Sequence, residues 1–78
     1  MTTANNSNNF FSFSRKALDA IATLHYDGNT VDVEINGHEW TIELDHRYGV
    51  ITYYVGMYTF QGENAAQDAA NTIARQSM

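Results

Sequence analysis

The side chains of this 78-residue chain that could do chemistry are three histidines, nine carboxylates and several hydroxyls; there is no cysteine. Without a thiol the chain has no disulfide, no thiolate zinc ligand and no cysteine nucleophile. His38 and Glu39 are neighbours in a segment with strand periodicity, so they point to opposite faces and cannot converge on one ion. Asp45-His46 falls at a predicted turn, where sequence does not fix geometry. Asp27-Gly28-Asn29 matches a fragment of a calcium loop, but the remaining ligands and the closing glutamate are missing. No residue pattern sets a hydroxyl against a base. The sequence reading is therefore a non-enzyme with no catalytic residue, no metal ligand and no cofactor. His38 is expected to cover the edge of Trp40.

The carboxylates remain to be explained. Nine acidic residues face four basic ones, Arg15, Lys16, Arg47 and Arg75, for a net charge of −5. A nucleic-acid binder replaces counterions on phosphates with clustered Lys and Arg, and four scattered cations cannot form such a patch. Direct nucleic-acid binding is excluded as an expectation. With 44% hydrophobic and 13% aromatic residues the chain has the material for a core, which argues against wholesale disorder. No apolar run approaches the roughly 20 residues of a membrane-spanning helix. Residues 1–9 lack the basic and apolar regions of a signal peptide, so a cytoplasmic protein is expected, with no membrane partner.

The elements that would position the acids follow from periodicity. Residues 1–9 are polar and Asn-rich, and are expected to form a flexible tail ahead of a single domain over residues 10–78. From Ser12 or Ser14 to about His25, Phe13, Ala17, Ile21 and Leu24 recur at helical spacing, with either serine as the capping residue. Asp27-Gly28-Asn29 ends that helix. Over Thr30 to Asp45 the period becomes two: Val31, Val33 and Ile35, then Asn36-Gly37, then Trp40, Ile42 and Leu44. Asn-Gly between alternating runs predicts a type I′ hairpin, since both residues tolerate positive φ. The two-residue loop sets Ile35 against His38, Glu34 against Glu39, Val33 against Trp40, Asp32 against Thr41 and Val31 against Ile42.

After a turn at His46 to Gly49, Val50 to Phe60 reads as one third strand. Its inward residues would be Ile51, Tyr53, Val55 and Met57, and its outward residues Thr52, Tyr54, Gly56 and Tyr58, with Gly56 as a candidate bulge. Asn64 and Gln67 have the spacing of a capping pair. Ala66, Ala69, Ala70 and Ile73 then form a small-residue stripe on a second helix ending near Gln76, expected to lie close against the sheet. The expected fold class is α+β: a two-layer α-β-β-β-α domain with a three-stranded antiparallel sheet and both helices on one face. Val33, Trp40, Ile42, Ile51 and Val55 are its expected buried residues.

On this register Asp32, Glu34, Glu39 and Glu43 project from the open sheet face beside Tyr54 and Tyr58, and neither hairpin strand carries Lys or Arg. Glu34 directly opposite Glu39 is destabilising. Two readings of this face stand: a solvated outer face kept charged against aggregation, which usually uses mixed signs, and an acidic contact surface, which its single sign and bordering tyrosines suit. These six residues are the candidate partner-binding set.

Helix, three strands and helix in this order resemble the double-stranded-RNA-binding domain. The stretch Gly62-Glu63-Asn64-Ala65-Ala66-Gln67-Asp68-Ala69-Ala70 with Ile73-Ala74 is similar to that family's last helix. The family's phosphate-gripping lysines are replaced here by Glu63, Asn64, Gln67 and Asp68, so the resemblance implies topology without RNA binding. In length, acidity and element order the chain also resembles phage-encoded anti-CRISPR proteins. That likeness implies an inhibitor in a bacterial cytoplasm whose acidic face occupies the basic nucleic-acid-binding surface of a larger protein, such as a Cas protein. The alternative expectation is a small structural or assembly module that pairs through a strand edge or exposed tyrosines.

Overall fold

The computed structural model describes residues 2–78, with side chains from Asn9 onward. The element order is α1 (Thr2–Tyr26), β1 (Thr30–Ile35), β2 (His38–Arg47), β3 (Val50–Val55), β4 (Tyr58–Gln61) and α2 (Ala65–Gln76). The fold is α+β, with one antiparallel sheet in the order β1-β2-β3-β4. Residues 2–9, expected as part of a tail ahead of the domain, belong to α1, while Met1 and the side chains of residues 2–8 lie outside the described residues. Ser12 and Ser14 lie inside α1 rather than at its start. Ser14 is instead buried, and its hydroxyl donates to Asn71 Oδ1 of α2 at 2.9 Å. No helix among the described residues is long and apolar enough to cross a membrane.

The sheet has four strands where three were expected, because Val50 to Phe60 folds back on itself. Gly56 takes φ 59 and, among the described non-glycine residues, only Asn36 and Tyr48 have positive φ. Gly56-Met57 therefore has the Gly-X pattern of a type II′ turn, which returns the chain as β4 rather than bulging one strand. The pairs Val55↔Tyr58, Tyr54↔Thr59 and Tyr53↔Phe60 follow. Met57, expected in the core, is at the turn and 91% exposed. Tyr58 moves to the helix-covered side, where its ring stacks on Phe60. The second turn is also tighter than expected: Tyr48 (φ 54) and Gly49 (φ 75) close Arg47 against Val50.

The β1–β2 register is the one that Asn36-Gly37 dictates, from Thr30↔Glu43 to Ile35↔His38. Asn29 C=O accepts the Leu44 N–H at 2.8 Å. This fixes the parity of the ladder: Val31, Val33 and Ile35 turn their backbone groups toward β2, and Thr30, Asp32 and Glu34 turn theirs away.

Both helices cover the face that carries Val31, Val33, Ile35, Trp40, Ile42, Tyr53 and Val55. The fully buried centre is Ala17, Ile21 and Leu24 of α1, Ile35, Ile42, Tyr53 and Val55 of the sheet, and Ala65, Ala69, Ala70 and Ile73 of α2. Of the five core residues expected, Ile42 and Val55 are buried, while Val33, Trp40 and Ile51 are half-buried flanks packed against the centre. α2 as a whole packs more against α1 than against the sheet, and Ala69 and Ala70 are fully buried in the core between them. Small side chains there let the two backbones approach closely. Asn64 precedes α2 without a side-chain capping bond. Gln67 turns away from that cap and donates to Asn71 Oδ1 at 2.9 Å, next to Ser14.

A polar clasp ties the turn end of the β1–β2 hairpin to the end of α2. Ser77, the residue that ends α2, is fully buried. Its Oγ accepts the Trp40 indole N–H at 2.9 Å, and its C=O accepts Asn36 Nδ2 at 2.7 Å. Asn36 thus supplies both the positive-φ turn and a tie to the last helix.

Candidate functional site

The face of the sheet opposite the helices is built by pairing. Across the four strands it presents Glu34 beside Glu39, then Asp32 beside Thr41, then Thr30, Glu43, Tyr54 and Thr59 in one row, then Asp45, Thr52 and Gln61, and finally Arg47 beside Val50. Asp32, Glu34, Glu39 and Glu43 are all exposed, and Tyr54 is partly exposed at 39%. Five of the six residues expected on this face are there. Tyr58 is the exception, because the turn at Gly56-Met57 reverses its side.

Two residues not expected join them. β2 runs on through Arg47, so Asp45 continues the acidic row along that strand and Arg47 stands at its end. Arg47 Nε approaches Asp45 Oδ1 at 3.2 Å. The expectation of a hairpin without cations is therefore corrected at this corner. The remaining ion pair among the described residues is Arg15–Asp19 on α1, at 3.5 Å. Glu34, Glu39 and Glu43 have no basic partner among the described residues. The missed signal was Tyr48-Gly49, which extends β2 by two residues once it is read as a two-residue turn.

The acids differ in how tightly they are held. Thr41 Oγ1 donates to Asp32 Oδ1 at 2.8 Å across the ladder, which orients that carboxylate. Glu34 and Glu39 form a pair of the kind that lacks direct backbone bonds, in which Cα atoms stand only about 4.5 Å apart and side chains are closer. Asp32, Glu34, Glu39 and Thr41, with Val33 and Trp40 between them, line a shallow cleft of about 290 Å³. Farther along, Thr52 is buried under its neighbours and accepts a hydrogen bond from Gln61 Nε2 at 2.8 Å. That corner is structural. The exposed charge is concentrated on β1 and β2.

No group of three or more His, Asp or Glu side chains is placed to hold a metal ion among the described residues. The histidines are dispersed. His38 is exposed on the helix side of β2, two residues from Trp40, and His46 is exposed opposite Ile51. His25 Nε2 bonds the Tyr53 hydroxyl, which was not foreseen. Burial raises the Tyr53 pKa above its ordinary value of 10.0. Tyr53 is buried at 4% exposure and belongs to the core cluster.

The chain matches no family model, no curated protein and no solved structure. The surface chemistry is what bears on function.

Proposed function

We propose that this protein is a non-enzymatic binding protein whose acidic sheet face occupies a basic, nucleic-acid-binding surface of a larger protein, in the manner of an anti-CRISPR inhibitor on a Cas protein. The observation that carries the reading is the row Asp32, Glu34, Glu39, Glu43 and Asp45 on one face away from the helices, with Arg47 as the one cation on it among the described residues. From Glu39 to Asp45 the row runs about 20 Å along β2, at about 3.4 Å per residue. A parallel column from β1 lies about 4.8 Å away. Such an array offers carboxylate oxygens to several arginines or lysines at once, in charge-assisted bonds of the type those cations make to phosphates. Retention of the Glu34–Glu39 repulsion supports the same reading, since a partner's cation would relieve it on binding. Tyr54, at the border of the row, adds the kind of amphipathic contact enriched in protein interfaces.

The test is competition. Partners are first captured from nuclease-treated lysate on the wild-type protein and on the double reversal Glu34→Lys/Glu39→Lys. A captured protein or a purified Cas effector is then loaded with labelled nucleic acid and titrated with each form. Wild type should displace the nucleic acid, less effectively as salt rises, and the folded double variant should fail to. Displacement by the variant at wild-type concentrations would refute the proposal.

A further inference from the structure

Thr30, Asp32 and Glu34 are exposed in two ways. Their side chains stand on the acidic face, and their backbone N–H and C=O groups point away from β2, by the parity that the Asn29–Leu44 bond establishes. β1 is the end strand of the sheet. Among the described residues, no backbone hydrogen bond from another element reaches these outward groups. A strand edge in this condition is a template for one more strand. The other edge is a poorer template. β4 has 4 residues, and its outward positions, Thr59 and Gln61, are uncharged.

The charges on β1 select the occupant. A second copy of this chain pairing antiparallel through β1 would set Asp32 and Glu34 against the same carboxylates of its partner, and like charges directly opposite are destabilising. A strand with Lys or Arg at alternate positions reverses that sign. Each cation would stand opposite or diagonal to Asp32 and Glu34, with Cβ separations of about 4.5–5.5 Å for direct pairs. It would also reach the cleft that Glu39 and Thr41 share with those two residues. The residues between the cations would fall on the side of Val31 and Val33, which are half-buried at the margin of the core.

We propose that an extended segment of the partner, alternating basic and apolar residues, adds to β1 as a fifth strand. Its backbone bonds Asp32 and Glu34, and its cations lie on the acidic face. The proposal rests on the acidic-face reading and specifies how that face is engaged. It makes a directional demand. In an added antiparallel strand, the residues that exchange backbone bonds with Asp32 and Glu34 are those whose side chains share the acidic face, namely the basic ones.

Three capped octapeptides test this with the protein unaltered: (Lys-Val)₄, the same peptide N-methylated at every lysine, and the same peptide N-methylated at every valine. All three carry the same charge. Binding is followed by amide chemical shifts and hydrogen exchange. The parent and the valine-methylated peptide should bind alike and slow exchange at the amides of Asp32 and Glu34. The lysine-methylated peptide should bind about tenfold more weakly or worse, because its pairing edge has lost its donors. Equal binding by both methylated peptides would overturn strand addition while leaving attraction to the acidic face intact. If no peptide binds but the competition assay still depends on Glu34 and Glu39, strand addition alone falls. If that dependence is absent as well, the acidic-face reading falls with it.

Discussion

Ser77 offers a sharp test of how the last helix is tied to the first hairpin. Ser77→Ala removes the Oγ that accepts the Trp40 indole N–H at 2.9 Å and leaves the Asn36 bond to the Ser77 carbonyl in place. Orphaning a buried donor costs about 1–3 kcal/mol. Trp40 is half-buried, so water can reach part of the vacated position. The lower part of that range, about 1–2 kcal/mol, therefore applies. At about 4–8 °C per kcal/mol for a domain of this size, Tm should fall by roughly 4–16 °C. Trp40→Phe removes the donor and part of the ring, and makes the Ser77 substitution cheaper. Thermal and urea unfolding of the wild type, both single variants and the double variant complete a cycle, with an expected coupling of about 0.5–1.5 kcal/mol. Far-UV circular dichroism is the necessary probe, since Trp40 is the single tryptophan and its fluorescence is lost in two of the four proteins. If Ser77→Ala costs the same in both backgrounds, the indole bond does not hold α2 to the hairpin.

Three further outcomes follow from the same geometry. Ile42→Ala, at the fully buried centre of β2, should cost about 2–5 kcal/mol in urea unfolding. Val33→Ala, at the half-buried flank, should cost distinctly less, and equal costs would contradict the assigned core. Glu39→Gln should leave the protein as stable or raise its stability by up to about 1 kcal/mol at low salt, with the gain shrinking as salt screens the pair; a clear loss would show that Glu34 and Glu39 do not repel. Burial raises the Tyr53 pKa above 10.0, so the unfolded chain releases this proton first. The folded state then binds more protons than the unfolded one, and the contribution is intact below about pH 10 and lost as pH rises through the raised value. Denaturant midpoints between about pH 9 and 11 should fall less steeply for Tyr53→Phe than for wild type, and an unchanged slope would refute the assignment.

The parts of the fold legible in the sequence were those in which two signals coincided. Asn36-Gly37 and the alternation of Val31, Val33, Trp40 and Ile42 each imply the same register, and the ladder has it. Ala17, Ile21 and Leu24 at helical spacing are buried on α1 as their period requires. Legibility ended where turn chemistry used uncommon residues. Tyr48 adopts positive φ at a position where Asn or Asp is usual, which concealed the length of β2 and so the place of Asp45 and Arg47. Gly56-Met57 does have a recognisable type II′ pattern, yet the β-branched and aromatic residues on both sides read as one strand. That misreading alone put Tyr58 on the wrong face. The ties from Ser77 to Trp40 and from Ser14 to Asn71 join residues 37 and 57 positions apart, and no local pattern announces such partners.

The three consecutive two-residue turns bear on the order in which this chain assembles. Each strand pairs with its neighbour in sequence, so every ladder closes a very short loop, for which the entropic cost is small. The seam between α1 and α2 is the reverse, since its contacts require the two ends of the chain to meet across the whole sheet. Hairpins of this kind form in about 1–10 μs. The helix seam is therefore the step that turns a set of transient ribbons into a domain. Substitutions at Gly37 or Gly49 should act mainly on the rate of folding, and substitutions at Ala69 or Ala70 mainly on the rate of unfolding. The acidic face is drawn from the early-forming part of the molecule. Its carboxylates would be set in register by the turns before the helices have finished closing over the other side.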